Sequence, residues 1–455
     1  MKILLWHGYL LTGSGSNLYT ANLARVWRKQ GHDVLLLCQE RAAAELSFID
    51  AHGDFEPDNG AFNLVEGSAD KAAGSCRLAR PAIGEVLPVY VYDAYPGFTA
   101  KTFVDLDDNE LAHYTDANIR ALATAIEEHS PDAIITGHEV MGPYIALKAC
   151  AESGTEYLAK LHGSALEYAV KKQQRYVPYA REGLGGAKVV AGGSNYMIKE
   201  AASVVSGWEH RAAVVNPGCD IELFKPTERG HATPVVGYVG KLIAAKGVHN
   251  LLAALGVTKH QNLTAVIVGY GGFDQQLKAL WGHLMMGDED AVREVASAGD
   301  GAPLASLLEW LDRGSLDARY VARVSEIDCR WPGRLDHGPL SKVLPTFDAL
   351  VVPSVVPEAF GMVAAEAAAC GVLPIVPRHS GIGEVGDTLE RELGRPGLLT
   401  YDPADPVAGL AAAIDRVLGL EPAERKDLER AASSFAREMW SWDHVAQRLV
   451  DLAAN

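Results

Sequence analysis

The sequence predicts an α/β protein made of two doubly wound, mostly parallel sheets in tandem. Short continuous apolar runs alternate with stretches of helical periodicity, once from residue 3 to about 216 and again from 235 onward. Between the two series lies NPGCDIELFKPTERGHATP (216–234), whose three prolines, two glycines and several charges are a linker composition. The length, 455 residues, also exceeds a single core, which stops growing at roughly 250–300 residues. The expected division is 1–218, 219–435 and a C-terminal helix over 436–455 that packs back on the first domain.

Ile3–Trp6 is a continuous apolar run, the mark of a parallel strand covered on both faces. The turn LTGSGSN follows, then a helix over Leu18–Lys29 with Leu18, Ala21, Leu23, Val26 and Trp27 at helical spacing. Gly31 fits the cap position after that helix, and Val34–Leu37 is the next strand. AIIT (133–136), YLAKL (157–161) and KVVAG (188–192) read as further strands with helices between them. In the second half VVGYVG, a helix from about Lys246, TAVIVGYGG, DALVVPS and VLPIVP repeat the alternation. A segment from about Leu280 to Asp317 reads as helical and longer than one crossover needs, so it is expected to be a surface insertion. SWDHVAQRLVDLAA closes the chain as an amphipathic helix with Trp442, Val445, Leu449 and Leu452 on one side.

The formal charge of −17 repels phosphate polymers, which excludes nucleic acid and anionic membranes as main partners. It leaves room for one phosphorylated ligand on a local basic patch. The six cysteines stand singly, without CxxC spacing, which argues against a zinc site or a disulfide framework and fits a reducing, cytoplasmic setting. MKILLWHGYLL is too short to span a bilayer and no cleavage site follows, so no integral membrane segment is expected. Nothing in the sequence specifies an oligomeric state.

Two stretches carry chemistry. In GYVGKLIAAKGV (237–248) a strand ends at Gly240, with Lys241 at its end and Lys246 at the start of the next helix. Cations beside free N–H groups of a helix N-terminus suit a diphosphate, although two lysines five apart also suit a solvated loop. In PEAFGMVAAEAAACG (357–371), Glu358 lies in the loop after a buried strand and Glu366 inside an alanine-rich helix ended by Gly371. N–H groups around Gly361–Val363 open that helix, and glycine at 361 allows close approach of a ligand. One carboxylate accepting two hydrogen bonds from a vicinal diol suits ribose, and a second suits a hexose hydroxyl. As purely structural groups, Glu358 would be a helix N-terminal charge and Glu366 part of an exposed face, but the six alanines around Glu366 imply close burial.

GKLIAAKG, VGYGG, PSVVPEAFGMVAAEAAACG, SGIGE and NPGCDIELF together resemble segments of retaining GT-B glycosyltransferases of family four. The resemblance covers nearly the whole chain and is weakest at 45–130 and 280–317. It implies two Rossmann-like domains facing a central cleft. It also implies that Glu358 holds the donor sugar's hydroxyls, that Phe360, Gly361, Met362 and Val363 present N–H groups to sugar or phosphate, and that Glu366 binds the ribose. Lys246 matches the family lysine on the diphosphate, and Gly240 belongs to the donor site. Lys241 stands where arginine is usual, keeping the charge but losing the bidentate fork. Arg334 and Leu335, in WPGRLDHGPLSKV, resemble the base-binding strand end. In the first domain, Gly15 would lie close to the diphosphate and Asn17 near the acceptor. His162, in KLHGS, would face the reacting sugar. His138 and Glu139 are candidates to line the acceptor pocket, with Tyr95 and Phe98 as an aromatic wall. Lys171, Lys172 and Arg175 either bind an acceptor phosphate or form a solvated helix face.

The activity so implied is transfer of a hexose-type sugar from a nucleotide-diphosphate donor to a hydroxyl of a small or glycan acceptor, with retention. His162, Lys241, Lys246 and Glu358 form the expected catalytic set. Leaving-group charge would fall on the two lysines and the helix N-terminus at Gly361 in place of a metal. Asp-x-Asp spacings in DLDDNE (105–110) and DED (288–290) follow no buried strand and read as a helix start and as part of the insertion, so neither metal nor cofactor is expected. A UDP-sugar is favoured because it is common in the family. A soluble acceptor is favoured over a lipid because the first domain has no strongly basic amphipathic helix. Two rivals stand beside this reading. One is a GT-B scaffold kept only for binding; the other is a nicotinamide-dependent dehydrogenase using Gly13-x-Gly15 and Glu40, whose third glycine position holds Leu18.

Overall fold

The computed structural model describes residues 1–91, 95, 97–260 and 262–454, and its contacts divide into two units. The first is Met1–Pro217 with Trp442–Asn455, the second Gly218–Ser441.

The first unit holds strands β1 (Lys2–Trp6), β2 (Asp33–Leu37), β3 (Ala51–Phe55), β4 (Phe62–Glu66), β5 (Ser75–Arg80), β6 (Val86–Val89), β7 (Thr99–Thr102), β8 (Ala133–Gly137), β9 (Tyr157–Lys160), β10 (Val189–Gly192) and β11 (Ala212–Val214). Nine of them form one sheet in the order β11-β10-β9-β8-β1-β2-β5-β3-β4, while β6 and β7 pair separately. All neighbours in the large sheet are parallel except β3 and β4. Ile3, Leu4, Val34–Leu37 and Ile134 are fully buried, as strands covered on both faces must be. Five helices alternate with the strands: α1 (Gly15–Lys29), α2 (Asp108–His129), α3 (Gly142–Ala149), α4 (Val177–Gly186) and α5 (Asn195–Val204). The stretch where the resemblance is weakest supplies β3 to β7 and α2. DLDDNE is the start of α2: Asp107 caps it and Glu110 closes the capping box.

Helix α1 begins with Ser14 as its cap, and Gly31 follows its end with φ +92°, a conformation glycine adopts without strain. The C-terminal helix (Trp442–Ala454) packs on it. Trp27 Nε1 donates to the Ala446 carbonyl at 3.0 Å, and the Trp442 ring stands edge-on to Tyr19.

The second unit holds six parallel strands: β12 (Val235–Lys241), β13 (Thr264–Tyr270), β14 (Asp328–Gly333), β15 (Ala349–Val351), β16 (Leu373–Pro377) and β17 (Thr400–Tyr401), in the order β14-β13-β12-β15-β16-β17. Around them lie α6 (Val248–Leu255), α7 (Asp274–Met286), α8 (Glu289–Ala298), α9 (Ala305–Asp312), α10 (Ala318–Val324), α11 (His337–Val343), α12 (Met362–Ala369), α13 (Ser380–Glu392), α14 (Pro406–Leu418) and α15 (Pro422–Met439).

Two expectations are corrected here. The helices from α7 to α9, expected as a surface insertion, are part of the core: Leu280, Leu284, Val292, Leu307, Trp310 and Leu311 are buried in the unit's main cluster. The helix expected over 436–455 is two pieces. Residues up to Met439 complete α15, Trp440 packs on Phe360 and Phe435 within the second unit, and the segment assigned to the first unit begins at Trp442. The proline-rich stretch after Pro217 has no helix or strand of four or more residues, yet it is fastened to its unit. Cys219 N–H donates to the Trp440 carbonyl at 2.7 Å, and Phe224 lies in the core. Among the described residues, no helix is long and apolar enough to cross a membrane.

Candidate functional site

In each unit the chain turns in opposite directions from its central strand, and open α/β sheets bind ligands beyond the carboxyl ends of strands at such switch points. In the second unit the switch lies between β12 and β15. The loop after β12 makes a single turn, Ala244–Lys246, and then Gly247 with φ +70°. A Cβ at Gly247 would meet the Pro353 carbonyl oxygen at 1.9 Å, so the absence of a side chain lets the loops after β12 and β15 lie together.

That approach brings Lys246 Nζ to 2.9 Å from Glu358 Oε1. The same oxygen accepts from Ser354 Oγ. The Glu358 N–H donates to Ser380 Oγ at 2.9 Å, and the His379 ring lies 3.0 Å from both Ser380 Oγ and the Ser354 carbonyl. Gly381 N–H donates to the Glu358 carbonyl at 2.8 Å. Glu358 is therefore held in one orientation by a cation, a hydroxyl and its own backbone. Ser354, His379 and Ser380 escaped the sequence reading, although SGIGE was singled out; the signal was their position at the end of β15 and the start of α13.

The loop enters α12 through Gly361, at φ +99° and with no side chain capping the helix. The N–H groups of Met362 and Val363 thus belong to an uncapped first helical turn, where partial positive charge accumulates. Phe360 is buried against Trp440. One turn on, Glu366 is largely buried, with Oε1 at 3.9 Å from His337 Nε2. Burial first, and the negative charge of Asp220 second, push its carboxyl up to about 8. Lys241 ends β12 and is exposed. Gly240 runs beside Gly269 of β13, where a Cβ on Gly269 would meet the Gly240 oxygen at 1.9 Å. Arg334 is exposed, paired with Asp336 at 3.0 Å and lying over the Tyr270 ring, while Leu335 packs on the core.

In the first unit the switch lies between β1 and β8, and a histidine follows each of three adjacent strands. His7 follows β1, His138 follows β8, and His162 comes two residues after β9. The His7 and His138 rings are stacked with centroids 5.7 Å apart, and His138 and His162 are 4.8 Å apart. Burial lowers His7 to about 4 and holds His138 and His162 well below the usual histidine range, so all three are neutral near pH 7. His7 links α1 to the cluster: Nε2 meets Asn17 Oδ1 at 2.9 Å and Nδ1 meets Thr20 Oγ1 at 3.1 Å. Asn17 also donates to the Thr12 carbonyl. His138 takes a left-handed backbone, φ +72°, its Nδ1 lies 3.4 Å from Ser164 Oγ, and its buried Nε2 has no partner among the described residues.

Glu139 is a structural anchor: its buried carboxylate accepts the N–H groups of His162, Gly163 and Leu166 and so fixes the turn after β9. Lys160, unremarked in the sequence, is buried at the end of β9 with Nζ on the Val215 carbonyl at 3.0 Å, and burial lowers it to about 7. Tyr9, Tyr90, Tyr95, Asn17, His162 and Ser164 contribute to a pocket of about 220 Å³, with Gly15 at its α1 edge. Phe98 instead carries the Arg41 guanidinium on its ring, and residues 92–94 and 96 of that stretch lie outside the described residues. Lys171 is held between Glu167 and Glu200. Arg175 pairs with Asp108 and donates to the Phe103 and Leu106 carbonyls. Glu40, the ribose-binding acid of the dehydrogenase alternative, spends both oxygens on the N–H groups of Leu11 and Ala42.

Two Rossmann-like parallel sheets, each with polar groups gathered at the carboxyl edge of its switch point, define the GT-B class. Solved structures agree in fold: a sucrose-phosphate synthase from Thermosynechococcus elongatus matches with TM-score 0.57 and 19% identity over 99% of this chain and 98% of its own. HepE from Anabaena, solved in complex with UDP, matches with TM-score 0.59 and 17% identity over 99% of each chain. The family model described as "Glycosyl transferase 4-like domain" matches residues 14–218, and "Family 4 Glycosyltransferase in conflict systems" matches 334–449. The chain belongs to glycosyltransferase family 4. It is similar to a glycogen synthase of Mycobacterium tuberculosis, 34% identical over 211 residues, which are 46% of this chain and 39% of the relative. It is also similar to a D-inositol 3-phosphate glycosyltransferase of Corynebacterium urealyticum, 29% identical over 271 residues, 56% of this chain and 54% of the relative. The matches thus span about half or less of these two relatives' length.

Proposed function

We propose that the protein transfers a hexose-type sugar from a nucleotide-diphosphate donor to an acceptor hydroxyl with retention of anomeric configuration and without a metal. The carrying observation is the constellation of Lys246, Glu358 and the uncapped start of α12, with Glu366 one turn further along. In this reading the Lys246 ammonium, with three donors, serves Glu358 and a diphosphate oxygen together. The N–H groups of Met362 and Val363 receive the charge that grows on the leaving phosphate. Glu358, already oriented by Ser354 and Lys246, accepts hydroxyls of the donor sugar; Glu366 accepts the ribose diol. Lys241 adds a second cation at the strand end, and the base would lie toward Arg334 and Leu335. His162 faces the reacting sugar, with Asn17, Tyr95 and His138 on the acceptor side. UDP is the favoured carrier, supported by its presence in the Anabaena HepE complexes. Lys171, clasped by two carboxylates, is not assigned a ligand.

The test is a melting screen against UDP-, GDP-, ADP- and dTDP-sugars, since a ligand that binds the native state raises the midpoint. It is followed by an assay of sugar-nucleotide hydrolysis without acceptor. A raised midpoint with slow hydrolysis supports the reading; a raised midpoint without hydrolysis or transfer to any glycan supports a binding scaffold instead.

A further inference from the structure

We infer that the pocket of the first unit takes an uncharged sugar hydroxyl face, so that the acceptor is a neutral glycan end and not a phosphorylated sugar or polyol. This rests on the transferase reading and specifies its acceptor.

The two curated relatives bracket the choice, since one is named for a phosphorylated polyol and the other for a glucan. The pocket decides by its lining. Three tyrosines stand with Asn17, Ser164 and the His162 ring, and among the described residues no Asp, Glu, Lys or Arg lines it. Aromatic faces pack against the C–H faces of a pyranose, while hydroxyl and amide groups both donate and accept, as sugar hydroxyls require. The volume, about 220 Å³, suits one hexose ring.

A phosphate here would surrender its water without meeting a cation, which is a large penalty. Two of the basic residues expected to serve one are engaged elsewhere, and the third, Lys172, does not line the pocket. Lys171 lies between Glu167 and Glu200, and Arg175 is tied to Asp108 and two carbonyls. Lys160 is buried on the Val215 carbonyl and the Tyr19 ring. The three histidines are held neutral by burial and supply no charge. The start of α1, a feature that favours anions, already has Ser14 Oγ accepting the Asn17 N–H. The unpartnered Nε2 of His138, in a residue 1% exposed, marks a polar group in the same cluster still short of a partner.

The experiment is saturation-transfer NMR on the whole protein with excess UDP. Glucose, galactose, mannose and maltotriose are the neutral probes; glucose 6-phosphate and inositol 1-phosphate are the anionic ones. At least one neutral probe is expected to bind, to weaken tenfold or more in Tyr95→Ala, and to keep its affinity between 50 and 300 mM salt (roughly two Debye regimes). Tighter, salt-sensitive binding of a phosphorylated probe overturns the inference and leaves the transferase reading intact. Binding of no neutral probe, or binding unaffected in both Tyr95→Ala and Asn17→Ala, also overturns it. The UDP signals in the same samples report separately on the donor site, so failure there is recognised as failure of the transferase reading.

Discussion

Glu366 keeps its proton at neutral pH because its carboxyl, pushed up to about 8, sits among alanines where a charge is poorly solvated. In the proposed donor complex a ribose diol would place two hydroxyl donors on this carboxyl, so donor binding should expel the proton. Protons should be released as nucleotide binds at pH 7, with affinity rising as pH approaches 8 and levelling above it. Calorimetry in two buffers of different ionisation heat measures this, and Glu366→Gln should abolish the proton release while weakening the nucleotide. For folding, the raised carboxyl contributes stability that is complete below its ordinary value and lost as pH rises through 8. Lys160 has the opposite sign: lowered to about 7, it contributes stability present above the ordinary lysine value and lost as pH falls through 7. Lys160→Met should flatten the pH dependence of unfolding between pH 7 and 10, read by thermal melts. The glutamate was readable in sequence because six neighbouring alanines announce burial. Lys160 was not, because Tyr19 and Val215, which cover it, are far away in the chain.

At the scale of elements, two loops and one helix carry the chemistry of the second unit. Removing Lys246 deprives Glu358 of its cation and the diphosphate of its partner in the proposed mechanism. Lys246→Ala should therefore lower kcat about 10²–10³-fold, with a smaller change in nucleotide affinity, as single-turnover kinetics and calorimetry would separate. Gly361→Ala places a Cβ 2.1 Å from Ile382 Cδ1 at a backbone angle side chains avoid. It should cost about 1–3 kcal/mol of stability, measured by denaturant unfolding, and shift the start of α12. Trp310→Ala should cost about 3–5 kcal/mol, because α9 is core. The segment from 280 to 317 was misread for a physical reason. Its helices bury one stripe each among charged residues, and nothing local says whether the stripe meets the sheet or solvent. The strands named from the sequence were readable because they are continuous apolar runs, and the end of α1 because Gly31 stops it; its start lies at Gly15 and not at Leu18, because Ser14 caps the helix within the glycine-rich turn. The contacts among His7, Asn17 and His138 were not, since they depend on which strands become neighbours.

For the molecule as a whole, each sheet has a switch point: Lys246 and Glu358 meet at that of the second unit, and His7, Asn17 and His138 lie together at that of the first, while Arg334 and Leu335 follow the edge strand β14. The chemistry differs between the two. The second unit offers cations and helix N–H groups suited to a diphosphate; the first offers neutral histidines, an amide and tyrosines suited to hydroxyls. The net charge of −17 makes those local cations the more telling, since the bulk field opposes anions. Retaining transfer from a nucleotide sugar is tested most directly by NMR of the reaction with UDP-glucose and a neutral glycan. Release of UDP with formation of an α-linked product from the α-configured donor is expected, slowed at least a hundredfold in Lys246→Ala. A β-linked product, or no release from UDP-, GDP-, ADP- or dTDP-sugars with any acceptor, would contradict it.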